Sequence, residues 1–226
     1  KAVVPNTTFG SYKIVKNKSN DFETQWTVAP GRVWSDGTPI TADDLMLGIV
    51  LNSSKYSIKA GLGDPNDSKT PPAFNSISYG GTFDNHVVGL PIVSADNQSV
   101  TLKFDAPIPN WDLYGPGVFP VHTLVALANG KTSLLSAADA KAAKAAFTKA
   151  VKSYDGATLK KYAKVWNDAY NITKIDSSTN PNLLVGNGGF LVTGAVDNQS
   201  VTLKPNPKYN SGPKLSGGID TDVFRI

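Results

Sequence analysis

Two histidines, His86 and His122, are all the imidazole chemistry this chain carries, and it has no cysteine. Thiolate catalysis, disulfides and Cys-ligated zinc are therefore excluded. A nucleophilic serine would need one of the two histidines as its base, and no G-x-S-x-G turn presents such a serine. His86 falls in Asp84-Asn85-His86, which reads as a surface turn. No spacing of carboxylates completes a zinc site around either ring. Asp64, Asn66 and Asp67 alternate like the start of a calcium loop, but the following glycine and glutamate are missing. Gly186-Asn187-Gly188-Gly189 leads into a strand instead of a helix, so it is not a phosphate loop. The expectation is a chain that is not an enzyme and that holds no metal and no cofactor.

Aromatic side chains are the binding chemistry that remains. Trp111 and Tyr114 follow Pro107 and Pro109 in a short loop, and Tyr79 lies in a long glycine-rich one. Aromatics on loops stack on ligands or pack on flexible peptides; the alternative is that each plugs the core beneath its own loop. Tyr79, Trp111 and Tyr114 are the candidate ligand contacts. Trp26 and Trp34 sit on strand-like segments and read as core.

The elements that must position these residues follow from periodicity and turn chemistry. Residues 9–34 read as strands, and 42–52 as a helix apolar nearly all round. Residues 53–85 are polar and rich in Gly, Pro and Ser, a long loop of the kind that often carries function. Strands return over 87–104, with a turn at Asp96-Asn97. The octapeptide D-N-Q-S-V-T-L-K occurs at 96–103 and again at 197–204, each copy a turn followed by an alternating strand. Two helices are expected at 136–152 and 157–170. Ser136 caps the first with Asp139 at capping-box spacing, and Leu159, Tyr162, Ala163 and Trp166 give the second a buried stripe. A Ser/Asn/Pro linker at 176–183 leads to a hairpin over 184–204, and a last strand runs from Asp222 to Ile226.

Composition narrows the class. The chain is 40% hydrophobic and 18% charged, with 20 glycines and 15 prolines, which favours a loop-rich mixed α/β protein over a helical bundle. No apolar run approaches the roughly 20 residues of a membrane span. The net charge is +4 and the pI about 9.1. The main basic cluster (Lys141, Lys144, Lys149, Lys152, Lys160, Lys161, Lys164) lies on alanine-rich helices and reads as a solvated face. No nucleic-acid partner is expected.

The densest pattern is Trp34-Ser35-Asp36-Gly37-Thr38-Pro39-Ile40-Thr41-Ala42-Asp43-Asp44. Asp36-Gly37 is a turn dipeptide. Thr41 is an N-cap with Asp44 three residues on, and the carboxylates of Asp43 and Asp44 complement the helix dipole. Physical chemistry reads this as a turn feeding a capped helix. The same residues resemble the signature of the extracellular solute-binding proteins of ABC transporters, in their dipeptide- and oligopeptide-binding branch. Further segments resemble that family in order: Lys103-Phe104-Asp105-Ala106-Pro107-Ile108-Pro109, Phe119-Pro120-Val121-His122, Asn187-Gly188-Gly189-Phe190 and Lys204-Pro205-Asn206-Pro207-Lys208-Tyr209. The chain departs from the pattern at Arg32-Val33, where the order is usually valine-lysine, at Phe190 for tyrosine, and at Asn210 where tryptophan is common.

The resemblance implies a type II periplasmic-binding-protein fold, of which this chain looks like part of the N-terminal lobe. Residues 1–178 would be its small extra domain, with a helical pair inserted at about 128–178 outside the motif-bearing core. Residues 179–226 would begin the main sheet of that lobe, and the C-terminal lobe would be absent. The implied function is capture of peptides, or a related small solute, outside the membrane and delivery to an ABC permease. The implied protein is a monomer, held at the membrane only by an upstream lipid anchor, and Trp34, Ser35, Asp36, Gly37, Thr38, Pro39, Thr41 and Asp44 would be structural. A single lobe is expected to bind peptide weakly or not at all. A secreted adhesion or carbohydrate-binding module is the alternative that the loop aromatics leave open.

Overall fold

Alternating apolar and polar residues build the first sheet in the computed structural model, which describes residues 6–76, 78–213 and 221–225. Strands β1 (Gly10–Lys18) and β2 (Asp21–Val28) form an antiparallel hairpin, with a bulge between Ile14 and Lys16. Strands β3 (Ile92–Val93) and β4 (Ser99–Phe104) form a second hairpin, and the order in the four-stranded sheet is β1-β2-β4-β3. Phe22, Val28, Val100, Leu102 and Phe104 turn inward from it.

That face is covered by helices. The signature segment becomes a 3-10 turn (Ala42–Leu45) that runs into α1 (Met46–Asn52), in which Met46 to Leu51 are all buried. Two short helices follow where a loop is expected: α2 (Ser54–Lys59) and α3 (Thr82–His86). They are tied together by Asp84, whose carboxylate accepts from the Ser54 amide (2.7 Å) and hydroxyl (2.8 Å). The unstructured stretch is thus shorter than 53–85. His86 ends α3 instead of sitting in a turn, and it pairs with Asp105 at 2.7 Å.

Helices α4 (Val121–Ala128), α5 (Ala137–Lys152) and α6 (Gly156–Asp168) complete this layer. Ser136 accepts from the Asp139 amide, the cap expected for α5, and Asp155 accepts from the Thr158 amide at the start of α6. The pair does not stand outside the motif-bearing core. Phe147, Val151 and Leu159 are fully buried in the same cluster as Trp34 and Met46, and the Tyr56 hydroxyl donates to the Val151 carbonyl at 2.9 Å. Lys144 leaves the expected solvated face altogether: it is 3% exposed, while Lys141, Lys149, Lys152, Lys160, Lys161 and Lys164 are exposed.

A 3-10 turn at Pro181–Leu183 leads to the second sheet, of order β5-β6-β7, with β5 (Phe190–Val196), β6 (Ser200–Pro205) and β7 (Asp222–Arg225) all antiparallel. Ile226, the expected end of β7, lies outside the described residues. The repeated octapeptide proves to be the same device twice. Asn97 and Asn198 both take positive φ, 57° and 52°, at the turn of their hairpins, a conformation asparagine tolerates better than most residues. The two copies differ in what they bury. Val100 and Leu102 are sealed in the core, whereas Val201 and Leu203 are only partly covered.

Candidate functional site

The signature turn is built around two buried carboxylates. Gly37, at φ 95°, closes a tight turn in which its amide donates to the Trp34 carbonyl (2.8 Å) and the Trp34 amide to the Thr38 carbonyl (2.8 Å). Only glycine takes that φ without strain. Asp36 accepts from the Thr38 amide (2.9 Å) through one oxygen and meets His122 Nε2 (2.8 Å) through the other. Burial pushes the Asp36 carboxyl up, but the bonds from His122 and Thr38 outweigh it and hold the group below the ordinary carboxylate value. His122 sits at the start of α4 and is fully buried against Trp34.

Asp44 is completely buried. It accepts from the Thr41 amide (3.0 Å), the carboxylate half of a capping box, and from the Lys144 ammonium of α5. Lys144 also donates to the Pro39 carbonyl. Burial pushes the Asp44 carboxyl up, against the opposing pull of Lys144. Thr41 turns its own hydroxyl to Asp43 (3.2 Å), which also receives Asn97 (2.5 Å) and Thr148 (2.6 Å). One turn of chain therefore ties β4's hairpin, α4 and α5 together. The side chains of Trp34, Asp36, Asp44 and His122 are thus all buried.

Aromatic side chains that reach the surface lie elsewhere. Tyr12 of β1 stacks on its cross-strand neighbour Trp26 with centroids 4.9 Å apart, and Trp111 meets both edge-on at 5.4 and 6.1 Å. Beside this trio runs a groove of about 510 Å³, lined by Phe9, Tyr12, Trp26, Val28, Pro116 and Val118 among others and by no charged residue. Gly115 lets the loop backbone lie on the Trp26 ring, where a Cβ would come within 2.6 Å. Trp26 is thus half-buried at a groove wall and is not sealed in the core, as its place on β2 suggests.

Of the three expected ligand contacts, only Trp111 belongs to this cluster. Tyr114 is half-buried and packs on the core. Tyr79 points its hydroxyl at the Val50 carbonyl (3.4 Å), and burial pushes its phenol pKa up. Tyr12 and Trp26 were missed as groove residues because a strand's alternation tells which side chains share a face, not whether that face is covered. A second groove, of about 630 Å³, runs along Phe119 and Trp166, which meet edge to face at 5.4 Å, with Asn52, Asn75, Ser76 and Ser78 on its walls.

Among the described residues no group of three or more His, Asp or Glu is placed to hold a metal. Asp64 and Asp67 cap their own turns, accepting from the amides of Asn66 (2.8 Å) and Lys69 (2.9 Å). Among the same residues no helix is long and apolar enough to cross a membrane.

The sequence model described as bacterial extracellular solute-binding proteins, family 5 middle, matches residues 16–224. The chain belongs to this family. Family 5 proteins are extracellular solute-binding proteins of bacteria. No curated protein sequence matches the chain. Among solved structures, the periplasmic EDTA-binding protein EppA superposes with a TM-score of 0.51 at 19% identity, over 98% of this chain and 30% of its own. The oligopeptide-binding protein of Thermus thermophilus, complexed with a pentapeptide, gives 0.48 at 19% identity over 95% of this chain and 30% of its own. Lactococcal OppA, complexed with an endogenous peptide, gives 0.44 at 13% identity over 98% of this chain and 34% of its own. The first of these likenesses establishes the mixed α/β fold of a binding-protein lobe, and this family 5 chain spans about a third of the length of such structures or less.

Proposed function

We propose that this chain is part of the substrate-binding component of an ABC importer, which captures peptides or a related small solute outside the membrane and delivers them to the permease. The family match over residues 16–224 carries this reading. On it, residues 1–178 are the small domain of the N-terminal lobe, with the helical pair at 128–178 as a family insertion, and residues 179–226 begin the lobe's main sheet. The protein acts as a monomer, performs no catalysis, and reaches the membrane through a lipid anchor upstream of Lys1. The buried signature, Trp34 to Asp44, serves the fold, and solute contact from this part of the protein falls to partly exposed aromatics, first Trp111 beside Tyr12 and Trp26, with Tyr79 and Tyr114 as lesser contacts.

A groove without charges favours uncharged, apolar parts of a solute, because burying an unpaired charge there is costly. The test is calorimetry of the full-length protein against a mixed peptide library, with Trp111→Ala beside it. The expected result is binding that weakens about ten-fold in the variant, the scale of an aromatic contact residue. A full-length protein that binds no peptide in the library would sink the peptide reading. Unchanged affinity in the variant would remove the aromatic groove from the site.

A further inference from the structure

The two sheets are joined in an unusual way. Val185 is the last residue, among those described, that belongs to the hydrophobic core or packs against it. No strand residue of β5 or β6 is fully buried. Burial, which orients most packed elements, therefore does little to fix how residues 186–213 sit on residues 6–40. Hydrogen bonds take that place, and each uses a backbone group on at least one side. The Ser35 amide donates to the Gly186 carbonyl (2.9 Å), and the Gly186 amide to Ser35 Oγ (3.2 Å). Lys208 donates to the Asp36 carbonyl (3.0 Å), and Asn6 to the Ser211 carbonyl (2.6 Å). Further along, β5 is tied to Ile175 by a two-way backbone bridge with Ala195.

The centre of this joint is a reciprocal pair. Asn210 Nδ2 donates to the Gly31 carbonyl (2.7 Å), and its Oδ1 accepts from the Val33 amide (3.4 Å). Asn210 thus holds the backbone on both sides of Arg32. Arg32 in turn reaches back and donates to the Asn210 carbonyl. Each side chain grips the other turn's backbone, so neither bond keeps its geometry when the other is lost. A side chain without both a donor and an acceptor cannot replace Asn210 here, and one without a long donor cannot replace Arg32.

We propose that Arg32 and Asn210 form a polar latch that sets the position of the second sheet on the signature turn, making both of them positioning residues for whatever surface the two substructures present together. A latch made of hydrogen bonds over a joint with little buried apolar area opens locally at low cost, while the four-stranded sheet stays intact.

The experiment is amide hydrogen exchange in the full-length protein, read at three positions. The Val33 amide touches Asn210 directly. The Ser35 amide lies at the other end of the joint and bonds to Gly186. The Val28 amide bonds to Gln98 inside the first sheet (2.9 Å) and is the control. In Asn210→Ala, exchange at both Val33 and Ser35 is expected to rise by about ten-fold or more, with Val28 unchanged, as for a sub-global opening. Arg32→Met should raise Ser35 in the same way, although Arg32 does not touch Ser35. A rise at Val33 alone would reduce Asn210 to a local contact and overturn the proposal. So would an equal rise at all three, which would mark the pair as part of global stability.

Discussion

Lys144 is the residue at which physical reasoning from sequence and the folded chain diverge most. On an alanine-rich helix with three other lysines it reads as solvated, because nothing local distinguishes it. It is buried because the carboxylate of Asp44, a hundred positions earlier, needs a counter-charge. Removing one partner of such a pair leaves an uncompensated buried charge, so Lys144→Met is expected to cost about 3–5 kcal/mol. Adding Asp44→Asn should recover most of that loss, since an amide oxygen still accepts from the Thr41 amide. Urea midpoints of the single and double variants measure this; a double variant no more stable than the single would show that the pair is not what Lys144 supplies. Asp36 gives a pH prediction. Its folded pKa lies below the unfolded value of about 3.9. A depressed carboxylate contributes stability that is fully present above the unfolded value and is lost as pH falls through the folded one. Wild type should therefore lose more stability between pH 7 and pH 3 than Asp36→Asn does, and parallel pH profiles for the two would contradict the assignment.

The capped elements were readable because their signals are local. Ser136 with Asp139 and Asp36-Gly37 act within a few residues, and each sits where turn and cap chemistry put it. Of the expected stripe, Leu159, Tyr162 and Ala163 face inward as their spacing requires, while Trp166 is half-buried at the wall of the second groove. What stayed hidden was short or non-local. Helices α2 and α3 have six and five residues, too few for a periodic signal, and they depend on the bond from Ser54 to Asp84 across thirty positions. The placement of α5 and α6 is likewise tertiary: alanine-rich faces do not announce what they pack on, and Phe147 alone hints at the seam. Phe147 is fully buried beside Tyr162, so Phe147→Ala is expected to destabilise by about 3–5 kcal/mol. Thermal or urea unfolding should show one transition that shifts as a whole, because α5 shares its core with α1 and the signature turn. A variant that unfolds the helical pair alone, leaving the first sheet's transition in place, would restore the view of an appended pair. Deleting residues 128–178 should accordingly abolish folding of the first substructure.

At the scale of the molecule the two sheets are unequal. The first packs its inward face into a core shared with helices α1 to α6, and that core takes nearly all of the buried apolar residues among those described. The second has three strands, and Val196, Val223 and Phe224 are about half exposed on it. A small antiparallel sheet needs an apolar face packed on something to be stable by itself, and this one is held on the signature turn mostly by hydrogen bonds between side chains and backbone groups. The same alternating octapeptide makes a core strand in one place and a thinly covered strand in the other, so strand sequence decides the hairpin and the surroundings decide its stability. Residues 1–226 should then open in two stages. Amides of the β5–β6 ladder, such as those of Val192 and Leu203, are expected to exchange at least about a hundred-fold faster than those of the β2–β4 ladder, which open only with the whole core. In a longer chain, any further segment that packs on the second sheet would slow exchange there and leave the β2–β4 ladder as it was. Hydrogen exchange on both lengths of chain makes the comparison. Equal protection of the two ladders in residues 1–226 would show that the second sheet is stabilised within this chain, and that the polar joint at Arg32 and Asn210 is stronger than its hydrogen bonds and small apolar contact imply.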